Sequence, residues 1–222
     1  MFSRGRCFCP GRLRVGLTMR TRGDILINES SVATNKHADI VLDFLPKLAI
    51  QANYAVNALA AKNFDPGDVD IITDKITIVG HGYATGVKGQ FTTTGTLPGG
   101  LGLAIDYWII KINDDNFKVA TSLANAEAGS AQLINSNGTG THTFTPASFG
   151  SALLKLQSSN DGINFIDLPT CQATIASSGT SIFNVVEPAY RYLRFAFIPG
   201  DGSISLDVIL NGHDSAGDTS AN

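Results

Sequence analysis

The sequence predicts an all-β protein. Three observations lead there. Short runs of alternating apolar and polar residues recur along the chain, and the residues between them are Gly, Pro, Asn, Asp and Ser. Charged residues make up only 16% against 43% hydrophobic, a balance that suits strands joined by tight turns. The apolar content is too high for a disordered chain. The 222 residues are enough for one large or two modest β domains. No apolar run approaches the roughly 20 residues that a membrane-spanning helix needs.

The elements follow in order. Residues 25–27 (ILI) read as a short strand, and 38–44 (ADIVLDF) as a second, with Ile40, Leu42 and Phe44 alternating against Asp39 and Asp43. Residues 47–61 (KLAIQANYAVNALAA) alternate at first and then turn alanine-rich, so a strand that becomes helical at its end is expected. Asp65-Pro66-Gly67-Asp68 is a turn. Strands are expected at 75–79, 89–94, 106–112, 117–120, 132–135 and 141–145, with a hairpin at 113–116 and one helical turn at 123–128. This spacing indicates a small barrel or sandwich. Further strands are expected at 153–157, 163–168, 174–175, 181–186, 191–197 and 203–210. In 191–197 (RYLRFAF), Tyr192, Arg194 and Ala196 share one face and Leu193, Phe195 and Phe197 the other, as in a sheet with one core face and one wetter face. The small polar tail after Gly212 is expected to be mobile.

Charge is uneven. The net charge is −3, yet all six charged residues of the first 22 are arginines: Arg4, Arg6, Arg12, Arg14, Arg20 and Arg22. They read as a basic arm that binds nucleic acid or an acidic partner surface. A start at Met19 is the alternative, because MRTRGDILINES reads naturally as a beginning. The stretch lacks the apolar core of a secretory signal. Cys7 and Cys9 have no second pair with which to make a zinc site, and Cys171 is expected to pack as a small apolar residue.

Two stretches carry a resemblance. Leu156 with Ser159 to Phe165, then Tyr190 to Arg194, then Asp207 to Gly212, resemble the hairpin and strands of a jelly-roll-like β-sandwich found in tailed-bacteriophage structural proteins. Residues 76–101 (ITIVGHGYATGVKGQFTTTGTLPGGL) and 106–129 resemble a repeat-like module of phage tail and head appendage proteins. Together they cover roughly residues 70–212. The resemblance implies a virion protein with a jelly-roll-like sandwich and a second small β-barrel or sandwich module. A sandwich beginning at Leu153 would lack its first strands, so the module is expected to be inserted in it. The expected layout is a basic arm at 1–22, a discontinuous sandwich at 23–66 plus 147–213, an inserted module at 67–146 and a tail at 214–222. A row of two domains behind an arm is the simpler alternative.

Candidate chemistry is sparse. His81 sits in Gly-His-Gly-Tyr with no partner at ligand spacing, and His37, His142 and His213 are scattered, so a turn histidine bonded to backbone is expected. Asp68, Asp70 and Asp74 alternate but lack the fixed Gly and Glu of a calcium loop. The glycine-rich stretches 95–102 and 138–140 lack the Lys-Ser/Thr of a phosphate loop. No serine lies in a nucleophile elbow. Trp108 is expected to pack in a core rather than serve as a glycan shelf. Arg191 and Arg194 stand three apart on a strand and point to opposite faces, one to pair with a carboxylate and one to meet a partner. The expectation is therefore a non-enzymatic virion protein without cofactor or metal, best placed as a capsid decoration or cement protein. Partner contacts are assigned to the six arm arginines, Arg191 and Arg194. Its expected partners are major capsid or tail proteins and further copies of itself, with no nucleic acid and no membrane. A tail or head-fibre attachment protein that binds host glycan is the alternative.

Overall fold

The computed structural model describes residues 14–16, 24–41, 47–185 and 190–213. Strands dominate. They are β1 (Arg14–Gly16), β2 (Asp24–Val32), β3 (Lys36–Val41), β4 (Lys47–Val56), β5 (Lys62–Phe64), β6 (Val69–Asp70), β7 (Lys75–Thr77), β8 (Lys88–Thr93), β9 (Tyr107–Lys111), β10 (Asn116–Ala120), β11 (His142–Pro146), β12 (Ala152–Ser159), β13 (Ile166–Ile175), β14 (Gly179–Val185), β15 (Tyr192–Ile198) and β16 (Ile204–His213). One short helix, α1 (Leu123–Glu127), starts where the Ser122 side chain accepts the Asn125 N–H.

Three sheets result. Two are ordered β14-β4-β16-β2 and β1-β3-β15-β12-β13. Set β1 aside and number the other eight strands of these sheets along the chain. The orders are then 6-3-8-1 and 2-7-4-5, all antiparallel, which is the double Greek key of a jelly roll. Inward residues of both sheets fill one core. Ile50, Leu154, Leu156, Leu193, Phe195, Ile204 and Val208 are fully enclosed there, with Cys171 at its margin. The alternation of β15 is as the sequence indicates: Leu193, Phe195 and Phe197 are buried.

The third sheet, β5-β11-β8-β9-β10-β7-β6, contains only residues 62–146. It lies between the third and fourth jelly-roll strands in the chain. Its core is aromatic. Phe144 packs against Tyr83, Phe91 and Phe117 with ring centroids 5.1 to 6.1 Å apart, in tilted or edge-on geometry. Because β5 pairs with β11, the chain enters and leaves this unit side by side, with Phe64 opposite His142.

The unit sits on the end of the jelly roll that carries the β2–β3 and β15–β16 turns. Ala33 of the first turn is buried in the aromatic core cluster. Gly86 lies so close to the Ala33 carbonyl that a Cβ would collide with it. The backbone N–H and side-chain amide of Asn35 both donate to Glu127 Oε1, and Lys88 Nζ pairs with Asp201 at 2.9 Å. The Asp201 bond holds the Lys88 pKa above its usual value. Tyr83 donates to the carbonyl of Ala60 in the connecting segment.

Several elements differ from the sequence reading. Residues 57–61 are irregular, not helical, because the Asn57 backbone N–H donates to Ser203 O and its amide to Ser30 O and Ser203 Oγ. Residues 132–135 form no strand; Gln132 and Asn135 bond the 99–100 turn instead. Residues 163–165 belong to a loop, and the strand after it runs on to Ile175. Arg191 precedes β15 and is not part of it. Gly212 and His213 extend β16, while the tail at 214–222 lies outside the described residues. Trp108 does not enter the core. Tyr107 and Ile109 do, and Trp108 is half-buried on the other face of β9, the strand against which α1 packs.

Trp108 is the single tryptophan and lies in the aromatic unit, so its fluorescence reports that unit alone. Phe144→Ala should destabilise the unit by about 3–5 kcal/mol, the usual loss for deleting an enclosed ring. Denaturant titration followed by Trp108 emission measures it.

Candidate functional site

The conspicuous polar cluster lies at the jelly-roll end opposite the aromatic unit. It is built from the residues that carry the sandwich resemblance. Ser159 ends β12, and its Oγ donates to Asp161 Oδ1. The Asp161 carboxylate also accepts the N–H groups of Ile163 and Asn164 and the Asn164 side-chain amide. These donors, led by the Ile163 N–H, hold its pKa far below the usual carboxylate range. Gly162 has φ +70°, and a Cβ there would press into the Tyr192 ring at 3.2 Å. The loop needs glycine twice over, for its backbone and for the ring above it.

The loop delivers Phe165 onto the outer face of the five-stranded sheet. There the Arg194 guanidinium stacks on the Phe165 ring, 3.7 Å from its centroid. Arg194 Nε donates to Asp39 Oδ1 at 2.6 Å and Nη2 to Asp39 Oδ2 at 3.2 Å. The two residues are cross-strand partners on β15 and β3. Asp39 is only 7% exposed, so a carboxylate that alternation alone would leave in water is roofed by its arginine. Beside them Asp167 accepts from Lys155 Nζ at 2.9 Å and from Gln157 Nε2 at 2.7 Å. The Lys155 bond leads the lowering of the Asp167 pKa.

Arg194 is thus taken up within the sheet. Arg191 is exposed, its guanidinium 5.6 Å from the Tyr192 ring centroid. Arg4, Arg6, Arg12, Arg20 and Arg22 lie outside the described residues. Arg14 falls in β1, whose backbone runs parallel to β3 with Arg14 in register with Asp39. The structure therefore unites Arg194 with Asp39 and Phe165, and places Arg191 at the rim of the same end. Sequence spacing could not reveal Asp39, because 155 residues separate it from Arg194.

The remaining candidates are bonded locally. His81 is buried; the Tyr83 N–H donates to its Nδ1, and Nε2 lies 3.0 Å from the Asn113 carbonyl. Nδ1 accepts, so Nε2 carries the proton and the ring is neutral. Burial lowers its pKa below the usual 6.5. His142 bridges Thr93 Oγ1 and the Asn137 carbonyl. Asp68 accepts from Asp65 N–H, Asp70 from Ile72 and Thr73, and Asp74 from Ile134. Among the described residues no group of three or more His, Cys, Asp or Glu is arranged to hold a metal ion, and no helix is long and apolar enough to cross a membrane.

A second polar feature lies on the face of the β14-β4-β16-β2 sheet turned away from the core. A shallow hollow of about 320 Å³ is lined by Asn28, Asn53, Tyr54, Ser205 and Asp207, among others. Asp207 Oδ1 is buried there and accepts no hydrogen bond from the described residues.

No protein-family description and no curated protein sequence matches the chain. A solved structure of the "VP16-VP17 complex, a complex of the two major capsid proteins of bacteriophage P23-77" aligns over 87% of this chain and 94% of that one, at 9% identity and a TM-score of 0.25. A superposition that loose carries no inference about this chain.

Two outcomes follow from this geometry. Arg194→Ala removes both bonds to buried Asp39 and the stacking on Phe165. It should cost about 3 kcal/mol, whereas Arg191→Ala should stay within about 0.5 kcal/mol of the parent; equilibrium unfolding compares them. For His81, the unfolded chain takes a proton near pH 6.5 that the folded chain refuses. Stability should therefore fall as pH drops below that value and level off once the lower, folded pKa is passed. Imidazole NMR shifts of His81 should show the depressed midpoint.

Proposed function

We propose that this chain is a structural, non-catalytic component of a tailed-phage virion, most specifically a capsid decoration or cement protein. The observation that carries the reading is how polar and apolar groups are distributed. Three groups singled out from the sequence are tied off inside the fold: Arg194 by Asp39 and Phe165, His81 and His142 by neighbouring backbone and hydroxyl groups. Large apolar side chains stay open instead. Ile72 is 90% exposed, Val79 81% and Ile163 78%, and Leu103 and Leu133 are also exposed. Exposed apolar groups on a rigid β body suit burial against neighbouring subunits. Seven of the eleven large apolar side chains exposed among the described residues belong to the aromatic unit, so on this reading that unit is the part that meets the shell. On this reading the chain is a jelly roll of residues 23–66 and 147–213 with residues 67–146 as an insertion, and the arm arginines contact acidic neighbours.

A second reading is attachment to host-surface glycan. It draws on the hollow by Asp207, whose unpartnered carboxylate oxygen and adjoining Asn28, Asn53 and Ser205 match the hydroxyls of a sugar.

The test is to purify the particle and locate the chain on it. Decoration predicts many copies per particle by quantitative mass spectrometry, density over the shell by electron microscopy, and shells that break at lower temperature without the protein. A few copies at the tail, with host polysaccharide bound by the parent but not by Asp207→Ala, would replace this reading with the second.

A further inference from the structure

Six strands end sheets among the described residues: β1, β2, β5, β6, β13 and β14. An edge strand presents unpaired N–H and C=O groups, and monomeric proteins blunt it by short length, charge, proline or a bulge. Five of the six are blunted. β1 and β5 have three residues and β6 has two. β2 carries Asp24 and Glu29, and its register with β16 slips twice. On β13, the four residues 168–171, Pro169 among them, stand opposite Leu156 alone.

β14 has none of these devices. Its seven residues, GTSIFNV, include no charge and no proline. Its register with β4 is unbroken from Gly179–Tyr54 to Val185–Leu48, so it is regular throughout. Among the described residues it pairs with β4 only. Ile182, at its midpoint, is 58% exposed, with Thr180 and Asn184 exposed on the same face.

We infer that the β14 edge binds a second copy of this chain, antiparallel about a two-fold axis, joining two four-stranded sheets into one of eight strands. The strand itself argues for this occupant. Laid antiparallel on its own copy, GTSIFNV meets no like charge, and the two Ile182 side chains approach each other at the axis. The same operation on β2 would set Glu29 near its own counterpart. The pairing is a property of the protein in solution and does not depend on a place in the virion.

Sedimentation velocity of the full-length protein over a range of concentrations tests it, together with hydrogen exchange of residues 179–185. A dimer that grows with concentration is expected, with exchange in 179–185 slowing in parallel. Ile182→Lys sets two ammonium groups at the axis and should weaken the dimer about tenfold or more, with the far-ultraviolet circular dichroism of the folded chain unchanged. Ile166→Lys on β13 should leave the dimer intact. If Ile182→Lys disturbs the fold, Thr180→Lys serves in its place. A monomer at every concentration, or a dimer indifferent to a folded lysine variant, overturns the inference. Neither result bears on where the chain sits in the particle, which the particle measurements decide separately.

Discussion

The two parts of the jelly roll interleave, and the rest of the molecule is arranged around that constraint. β4 lies between β14 and β16, and β15 between β3 and β12. Neither the strands before residue 57 nor those after 151 can complete a sheet without the others. Whatever joins them must therefore begin and end at one place. The aromatic unit meets this requirement through the β5–β11 pair, which holds Lys62 opposite Phe144. Loop-closure entropy grows only with the logarithm of length, so a long detour whose ends are clamped acts as a short connection. Its contacts to Ala33, Asn35 and Asp201 then tie it to two turns of the sandwich end from which it departs.

The period-2 patterns made the strands legible, and most clearly where one face is enclosed. Leu193, Phe195 and Phe197 are the plain case, because alternation there reports burial directly. It misleads where a polar side chain is covered by a partner distant in sequence. Asp39 looks outward by alternation and is outward on its sheet, yet Arg194, itself stacked on Phe165, bonds to it. The misread stretches share a cause. Residues 57–61 and 132–135 have the local composition of a helix end and a strand, but side-chain bonds to remote turns hold them irregular. Local pattern carries no record of such bonds.

The hairpin that carries the family resemblance is now a piece of fold chemistry. Asp161 gathers two backbone N–H groups and two side-chain donors, Gly162 gives room to the Tyr192 ring, and the loop brings Phe165 over Arg194. Each motif residue has a structural task. The motif therefore marks a way of closing this end of the sandwich, and any chain using the same closure would show it whatever its partners. That is why function here has to be argued from surfaces and not from the motif.

Those surfaces are net acidic, with fifteen Asp and Glu against eleven Lys and Arg among the described residues, but several of the charges are paired. Lys36 pairs with Glu29, Lys88 with Asp106 and Asp201, Lys111 with Asp114, Lys155 with Asp167, and Arg194 with Asp39. Internal pairing shortens the reach of each charge, because a neutralised pair has a weak field at a distance. Recognition by the described body then draws on apolar contact and backbone edges together with the acidic side chains outside these pairs. The topology also sorts those features by side. The short turn at 33–35 keeps β2 and β3 together at one lateral edge, and the turn at 176–178 keeps β13 and β14 at the other. β1, the one described strand of the arginine-rich segment, lies along β3. β1 and the uncharged strand β14 thus stand at opposite lateral edges of the sandwich, separated by the width of the sheets.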